Sequence, residues 1–191
     1  MRATIRSRPW AGLDVGSYSV KLVAFHSGGR HSRAETPLPA NGAEPSHESI
    51  AEAIAVCFED AGLSPRGVRG ISLGISGADV IIKQIGLPLL ADDEVGPALR
   101  YEARKHLPFD PAGMAIDFQI VGRYPSEKRL DILLAAVSQD HLDRHVAPLE
   151  ALGVDADIVD ATPLALTNAL SHDDGEGEGA EPEPLLILDL G

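Results

Sequence analysis

The segment GLDVGSYSVK, residues Gly12–Lys21, is the most informative stretch of this sequence. It lies across two apolar runs, Trp10–Val15 and Lys21–Phe25, and the polar turn Gly16–Ser19 separates them. Short apolar runs joined by a Gly- and Ser-containing turn are typical of a β-hairpin. The segment therefore predicts two antiparallel strands, with the carboxylate of Asp14 close to the turn.

The same hairpin carries groups that suit a phosphate. The backbone N–H groups of a tight turn converge as an anion nest, and Gly16 permits close approach of a ligand. Ser17 and Ser19 add hydroxyl donors, and Lys21 adds positive charge. We expect Asp14 to hold Mg²⁺ through water, because that ion keeps part of its hydration shell. Taken alone, an Asp-x-Gly-Ser turn is also common hairpin chemistry.

A second apolar run ending in Asp-x-Gly lies at Ile187–Gly191. Its Asp189 and Gly191 repeat the spacing of Asp14 and Gly16. Two such elements, far apart in the chain, are what a duplicated phosphate clamp needs, with one turn on each side of a nucleotide. The pair therefore strengthens the phosphate-binding interpretation of the hairpin.

The rest of the chain mixes strands and helices, which predicts an α/β or α+β fold. A helix is expected to begin near Ser46 and end at Gly62, because its apolar residues recur with a 3.6-residue period. Pro97 is expected in the first turn of a second helix, and Pro148 predicts a kink in a third. The other predicted strands are Arg33–Leu38, Val68–Ile75, Asp79–Leu87, Asp117–Gly122, Leu130–Val137, Val154–Val159 and Leu185–Leu190. The other predicted helices are Asp92–Pro108, Gln139–Leu152 and Thr162–Leu170. Thr162 is expected to cap the last of these helices.

Charge and composition exclude several classes of protein. The formal net charge of −13 argues against nucleic acid, whose phosphate backbone needs a basic surface. No apolar run is long enough to span a bilayer, and the N-terminus lacks a signal-peptide core, so we expect a cytoplasmic protein. The one cysteine, Cys57, lies on the apolar stripe of the first helix and is expected to be a core residue.

Three other clusters have simple structural explanations. His141 and His145 are spaced as i and i+4, as in some metal sites, but the residues between them favour a solvated helix face. The acidic run Asp92–Glu94 suits the positive end of a helix dipole. The dipeptide at 76–77 lacks the Gly-x-Ser-x-Gly context of a nucleophile elbow.

The chain resembles the actin-like ATPase superfamily. Asp14, Gly16 and Lys21 fall at the spacing of its first phosphate motif, and residues 189–191 are similar to the start of its second. Within that superfamily the chain resembles the PilM family of type IV pilus proteins, through an ordered series of motifs. The series comprises Ile85–Pro88, Asp92–Glu94, Tyr101–Phe109, Asp117–Gln119, Leu133–Ser138, Leu149–Gly153 and Asp160–Asn168.

The resemblance implies an α/β, actin-like (ribonuclease H-like) ATPase fold, with a first domain that contains a small inserted α+β subdomain. The implied segments are the core with the phosphate hairpin (1–84), the inserted subdomain (85–153), a return to the core (154–170), an acidic linker (171–184) and the first strand of a second domain (185–191). The second half of the fold, with the adenosine pocket, is missing from this sequence. We therefore expect a fragment or truncated product that binds ATP poorly by itself.

The resemblance also implies cofactors and partners. ATP or ADP, with Mg²⁺, is expected at Asp14, Gly16, Ser17, Tyr18, Ser19, Lys21, Asp189 and Gly191. The implied partner is the cytoplasmic N-terminus of an inner-membrane PilN-like protein, bound in a groove beside the inserted subdomain, together with other pilus assembly proteins. Whether ATP is hydrolysed, and which residues are catalytic, stays open.

Two alternatives share the same phosphate turns. A phosphotransferase of the sugar-kinase branch needs a base positioned for the sugar hydroxyl, and no polar loop between the two motifs suits that role. A type II secretion component or an FtsA-like division protein is the other alternative. The complete Asp14/Gly16/Lys21 motif disfavours the type II secretion component. FtsA should carry a C-terminal amphipathic membrane helix, a feature that this chain cannot show, so that alternative stays open.

Overall fold

The computed structural model describes residues 8–39, 44–108, 110–171 and 186–187. The chain forms two compact units. The first takes its residues from 1–76 and 145–191, and the second is the continuous segment 77–144 between them.

The first unit is built on a five-stranded sheet. Strand β1 (Trp10–Val15) pairs antiparallel with β2 (Ser19–Phe25), which pairs antiparallel with β3 (His31–Pro37). On its other side β1 runs parallel to β4 (Gly70–Ile75), and β4 runs parallel to β8 (Ile158–Ala161). The sheet order is therefore β3-β2-β1-β4-β8, with the hairpin at one side and the parallel strands at the other.

Helix α1 (His47–Asp60) packs against β2 and β3. Its buried positions, which include Ile50, Ile54 and Phe58, keep the helical period expected from the sequence. Ser46 caps the helix by accepting a hydrogen bond from the Ser49 N–H at 3.2 Å. The start and the stop predicted for this helix are both confirmed.

The second unit is a three-stranded antiparallel sheet with one helix. Its strand order is β5-β7-β6, formed by β5 (Ile81–Pro88), β6 (Met114–Tyr124) and β7 (Arg129–Ser138). Helix α2 (Asp92–His106) supplies Val95, Leu99 and Ala103 to a core shared with these strands. The buried strand residues of that core are Ile85, Leu87, Leu130, Ile132, Leu134 and Ala136.

Two further α-helices lie in the C-terminal part of the described chain. Helix α3 (Gln139–Ala151) contains the boundary between the units, at residues 144 and 145. Helix α4 (Thr162–Ser171) contacts β4 and β8 of the first unit.

One strand prediction was wrong in its position. The strand expected over Val154–Val159 occupies Ile158–Ala161 instead. Asp157 explains the difference, because its side-chain Oδ2 accepts the Ile71 N–H at 2.8 Å while its own N–H donates to the Ile71 carbonyl at 2.9 Å. Parallel pairing with β4 therefore begins only at Ile158.

The position of Pro97 was also mispredicted. Helix α2 begins at Asp92, so this proline is the sixth helical residue rather than a first-turn residue. The early start is stabilised by Glu94, whose Oε2 accepts the Ala91 N–H at 3.0 Å while its own N–H donates to the Ala91 carbonyl. Pro97 consequently removes one backbone hydrogen bond from the second turn.

The predictions for the end of the chain fall mostly outside the described residues. Asp189, Gly191 and the acidic linker beyond residue 171 are among them. Of the strand predicted over 185–190, only residues 186 and 187 are described; they have no regular structure, and Leu186 is 90% exposed.

Candidate functional site

The tip of the β1–β2 hairpin is a tight two-residue turn. The Gly16 N–H donates to the Ser19 carbonyl at 3.0 Å, which leaves Ser17 and Tyr18 exposed at the tip. A Cβ at Gly16 would lie 3.3 Å from that same carbonyl oxygen, so the turn favours glycine here. Because its N–H is used within the turn, Gly16 does not offer that donor to a ligand.

The tip is anchored from the end of β3. The Leu38 N–H donates to the Tyr18 carbonyl at 2.7 Å, and the Leu38 side chain is buried. Within the described part of the chain, no group accepts a hydrogen bond from the Ser17 or Tyr18 N–H. These two amides are therefore the backbone donors that the turn presents to an anion.

Charged side chains form a row across the sheet beside this turn. Asp14 on β1 lies opposite Lys21 on β2, and Lys21 lies opposite Glu35 on β3. Lys21 and Glu35 are exposed, whereas Asp14 is half-buried. The Ser19 hydroxyl donates to Glu35 Oε1 at 2.7 Å. Sequence reasoning missed Glu35, because its place in the row depends on the pairing of β3 with β2.

The carboxyl ends of the parallel strands bring two more residues to Asp14. A Cβ built on Gly74 of β4 would lie 3.1 Å from Thr162 Oγ1 and 3.8 Å from Asp14 Oδ1. Gly74 thus leaves room between the aspartate and the threonine. In open α/β sheets, ligands bind at the carboxyl ends of the strands. These residues were not recognised as site residues, since the contact joins strands far apart in sequence.

Thr162 does not cap its helix as predicted. Its Oγ1 is fully buried and has no hydrogen-bond partner among the described residues. Asp160 of β8, two residues earlier, lies beside Gly74 in the same register and is half-buried. A carboxylate and a hydroxyl are oxygen donors that suit a hard cation such as Mg²⁺. No cluster of three or more acidic, His or Cys side chains suited to a metal occurs in the described part of the chain.

The expectation of a solvated histidine face on α3 was wrong. His141 and His145 are each only 9% exposed. The buried stripe of the helix runs through positions 141, 145, 148 and 149, so the histidines share a face with Leu149. His141 Nδ1 lies 3.4 Å from Asp79 Oδ2, and the His141 backbone N–H donates to Ser138 Oγ.

Cys57 is a core residue, as predicted. It is fully buried, and its thiol donates to the Val20 carbonyl, with a sulfur–oxygen distance of 3.5 Å. Burial raises the pKa of the Cys57 thiol, because the low-polarity surroundings disfavour the thiolate.

Two solved structures of known proteins are similar to this architecture. A solved PilM–PilN type IV pilus biogenesis complex matches with a TM-score of 0.71 and 22% identity, over 89% of this chain and 51% of the other. The cytoplasmic domain of EpsL, an inner-membrane component of the Vibrio cholerae type II secretion system, matches with a TM-score of 0.58 and 15% identity, over 82% and 58%. The chain therefore spans about half the length of the PilM chain that it matches.

The mixed α/β architecture is shared with the solved PilM and EpsL structures, so the expected α/β fold class is confirmed. The family model of type IV pilus assembly protein PilM matches residues 12–174. The chain belongs to the PilM family. Within the described residues, no helix has both the length and the apolar character needed to cross a membrane.

Proposed function

We propose that this chain is the nucleotide-phosphate-binding part of a cytoplasmic adaptor in type IV pilus assembly, whose output is binding rather than catalysis. The observation that carries this proposal is the family match over residues 12–174. The amides of the exposed residues Ser17 and Tyr18 at the hairpin tip, and the neighbouring Lys21, support the nucleotide part of it.

The proposed cofactor is ATP or ADP with Mg²⁺. The Ser17 and Tyr18 amides would bind a phosphate group, and Lys21 would add a charge-assisted hydrogen bond. Asp14, with the Thr162 hydroxyl nearby, would hold the hydrated Mg²⁺, which neutralises phosphate charge when bound. Asp189 and Gly191 stay predictions for the opposite side of the phosphates.

The proposed partner is the cytoplasmic N-terminus of an inner-membrane PilN-like protein. The matched solved structure is a PilM–PilN complex, which supports a partner of this kind. Through that peptide the protein would associate with the inner membrane and would link to other pilus assembly proteins.

A calorimetric titration of this chain with the N-terminal peptide of the PilN-like protein from the same genome tests the partner proposal. We expect saturable binding, and a peptide of the same composition in scrambled order serves as the control. If a folded chain fails to bind, repeating the titration with a chain extended past Gly191 decides whether the further residues are needed. Failure of the extended chain as well would refute the proposal.

The nucleotide proposal predicts a specific effect at Lys21. Replacing Lys21 by Ala removes a hydrogen bond to a charged group, so affinity for ATP should fall about tenfold or more. Lys83→Ala is the matched control, because Lys83 is also an exposed strand lysine but belongs to the second unit. Equal ATP affinities for the two variants would argue against a phosphate site at the hairpin.

A further inference from the structure

Glu35 places a negatively charged carboxylate beside the hairpin that is proposed to bind negatively charged phosphates. Its Oε1 accepts the Ser19 hydroxyl at 2.7 Å, and its strand position lies directly opposite Lys21. We propose that Glu35 is a built-in competitor of the nucleotide phosphates, which lowers the affinity of this site for phosphate. The inference rests on the nucleotide site proposed above.

The first part of the argument is the hydroxyl proton. A serine hydroxyl has one proton to donate, and a carboxylate only accepts hydrogen bonds. In the structure that proton is given to Glu35, so it is not available to a phosphate oxygen. Phosphate binding at Ser19 therefore requires this hydrogen bond to break.

The second part is the charge on Lys21. Asp14 and Glu35 occupy the strand positions on either side of it, and neighbouring strands are separated by about 5 Å. The ammonium thus has a carboxylate-bearing residue on both sides. A phosphate that approaches Lys21 would be repelled by the negative charge of Glu35. Between solvent-exposed groups, a repulsion of this kind weakens binding about three- to tenfold.

A purely structural role for Glu35 predicts a different result. Cross-strand polar pairs stabilise a hairpin. If that were the whole role of the Ser19–Glu35 hydrogen bond, removing it would lower the thermal midpoint and leave phosphate affinity unchanged or reduced. Affinity, measured beside the thermal midpoint, separates the two interpretations.

The experiment compares ATP binding by the whole chain and by three variants, with and without Mg²⁺, using isothermal titration. Glu35→Gln removes the charge and keeps an acceptor for Ser19, whereas Glu35→Ala also frees the hydroxyl. Glu59→Gln, an exposed glutamate near the end of α1, is the matched loss of one negative charge. We expect about three- to tenfold tighter ATP binding for Glu35→Gln, at least as tight for Glu35→Ala, and no change for the control.

The outcomes separate this inference from the nucleotide proposal. Binding that is lost in Lys21→Ala but unchanged in both Glu35 variants would leave the nucleotide site standing and refute the competitor. Weaker Mg²⁺–ATP binding in Glu35→Gln, with free ATP unaffected, would make Glu35 a magnesium-supporting residue and also refute it. If neither the wild type nor the Glu35 variants bind ATP at millimolar concentration, and the same proteins extended past Gly191 also fail to bind it, both proposals fail. Binding that appears only after Glu35 is changed would support both.

Discussion

Thr162 carries a fully buried hydroxyl oxygen that has no partner among the described residues. A buried hydroxyl without a hydrogen bond costs about 1–3 kcal/mol, a cost that binding sites commonly tolerate because a ligand later satisfies the group. The hydroxyl lies beside Gly74, close to the Asp14 carboxylate that is proposed to hold Mg²⁺.

Replacing Thr162 by Val tests that account through stability. Valine keeps the shape and removes the hydroxyl, so we expect the free energy of unfolding to rise by about 1 kcal/mol in urea denaturation. Thr167→Val is the control on the same helix, because the Thr167 hydroxyl donates to the Pro163 carbonyl at 2.8 Å. Removing this hydroxyl should not make the protein more stable. A destabilised Thr162→Val would mean that the hydroxyl is satisfied in solution.

Cys57 makes the free energy of unfolding depend on pH in the alkaline range. Burial raises the thiol pKa in the folded state, so the thiolate forms more readily in the unfolded chain. The stabilisation is complete below the pKa of the unfolded thiol, about 8.5, and is lost as the pH rises beyond it. Between pH 7.5 and 10, urea unfolding of the wild type should therefore lose more stability than that of Cys57→Ala. Parallel slopes for the two proteins would contradict this.

The residues of the site fall into two groups: those whose proximity follows from local spacing in the sequence, and those that only strand pairing brings together. Asp14, Gly16 and Lys21 belong to one hairpin, so their spacing along the chain was enough to predict their proximity. Glu35 and Thr162 reach the same place through the pairing of β3 with β2 and of β8 with β4. No local pattern encodes those pairings.

At the scale of elements, the periodic segments were predictable and their irregularities were not. Two apolar runs joined by a polar turn predicted the hairpin, and the 3.6-residue period of α1 predicted the first helix. The solvated histidine face expected on α3 was wrong: His141 and His145 take buried positions, whereas the neighbouring apolar residues Leu142 and Val146 are only half-buried. Polarity alone does not tell which face of a mixed helix will be covered.

Pro97 is an element-scale feature with a measurable expected effect on stability. It lies exposed in the second turn of α2, where it removes a backbone hydrogen bond. Pro97→Ala should raise the free energy of unfolding by about 2 kcal/mol, since a helix-interior proline costs about 3 and the freer unfolded chain returns part of that gain.

Chemical denaturation followed by far-UV circular dichroism measures this change. Pro125→Ala is the control, because Pro125 opens a short 3₁₀ turn rather than interrupting a helix. A Pro97→Ala variant no more stable than the wild type would indicate that the helix already accommodates the proline through local adjustment.

At the scale of the molecule, each unit has its own buried residues. The second unit is organised around α2 and its three strands, with Leu134 fully buried among them. Leu134→Ala should cost about 2–5 kcal/mol through lost burial and a residual cavity. Leu89→Ala, at a residue 39% exposed, should cost far less.

Amide hydrogen exchange locates the effect of Leu134→Ala. We expect the largest loss of protection within residues 81–138, where the core that includes Leu134 is formed. Equal loss in β1 and β2 would show that the two units unfold as one cooperative body.

Local periodicity, turn chemistry and an ordered series of motifs were enough to predict the α/β class, the β-hairpin and the family. What surrounds the hairpin depends on strand pairing and is visible only in the folded chain: Glu35 on Ser19, and Thr162 and Gly74 beside Asp14. The physical reason is strand register, which places residues 16 to about 150 positions apart next to each other through backbone hydrogen bonds that carry no side-chain signature.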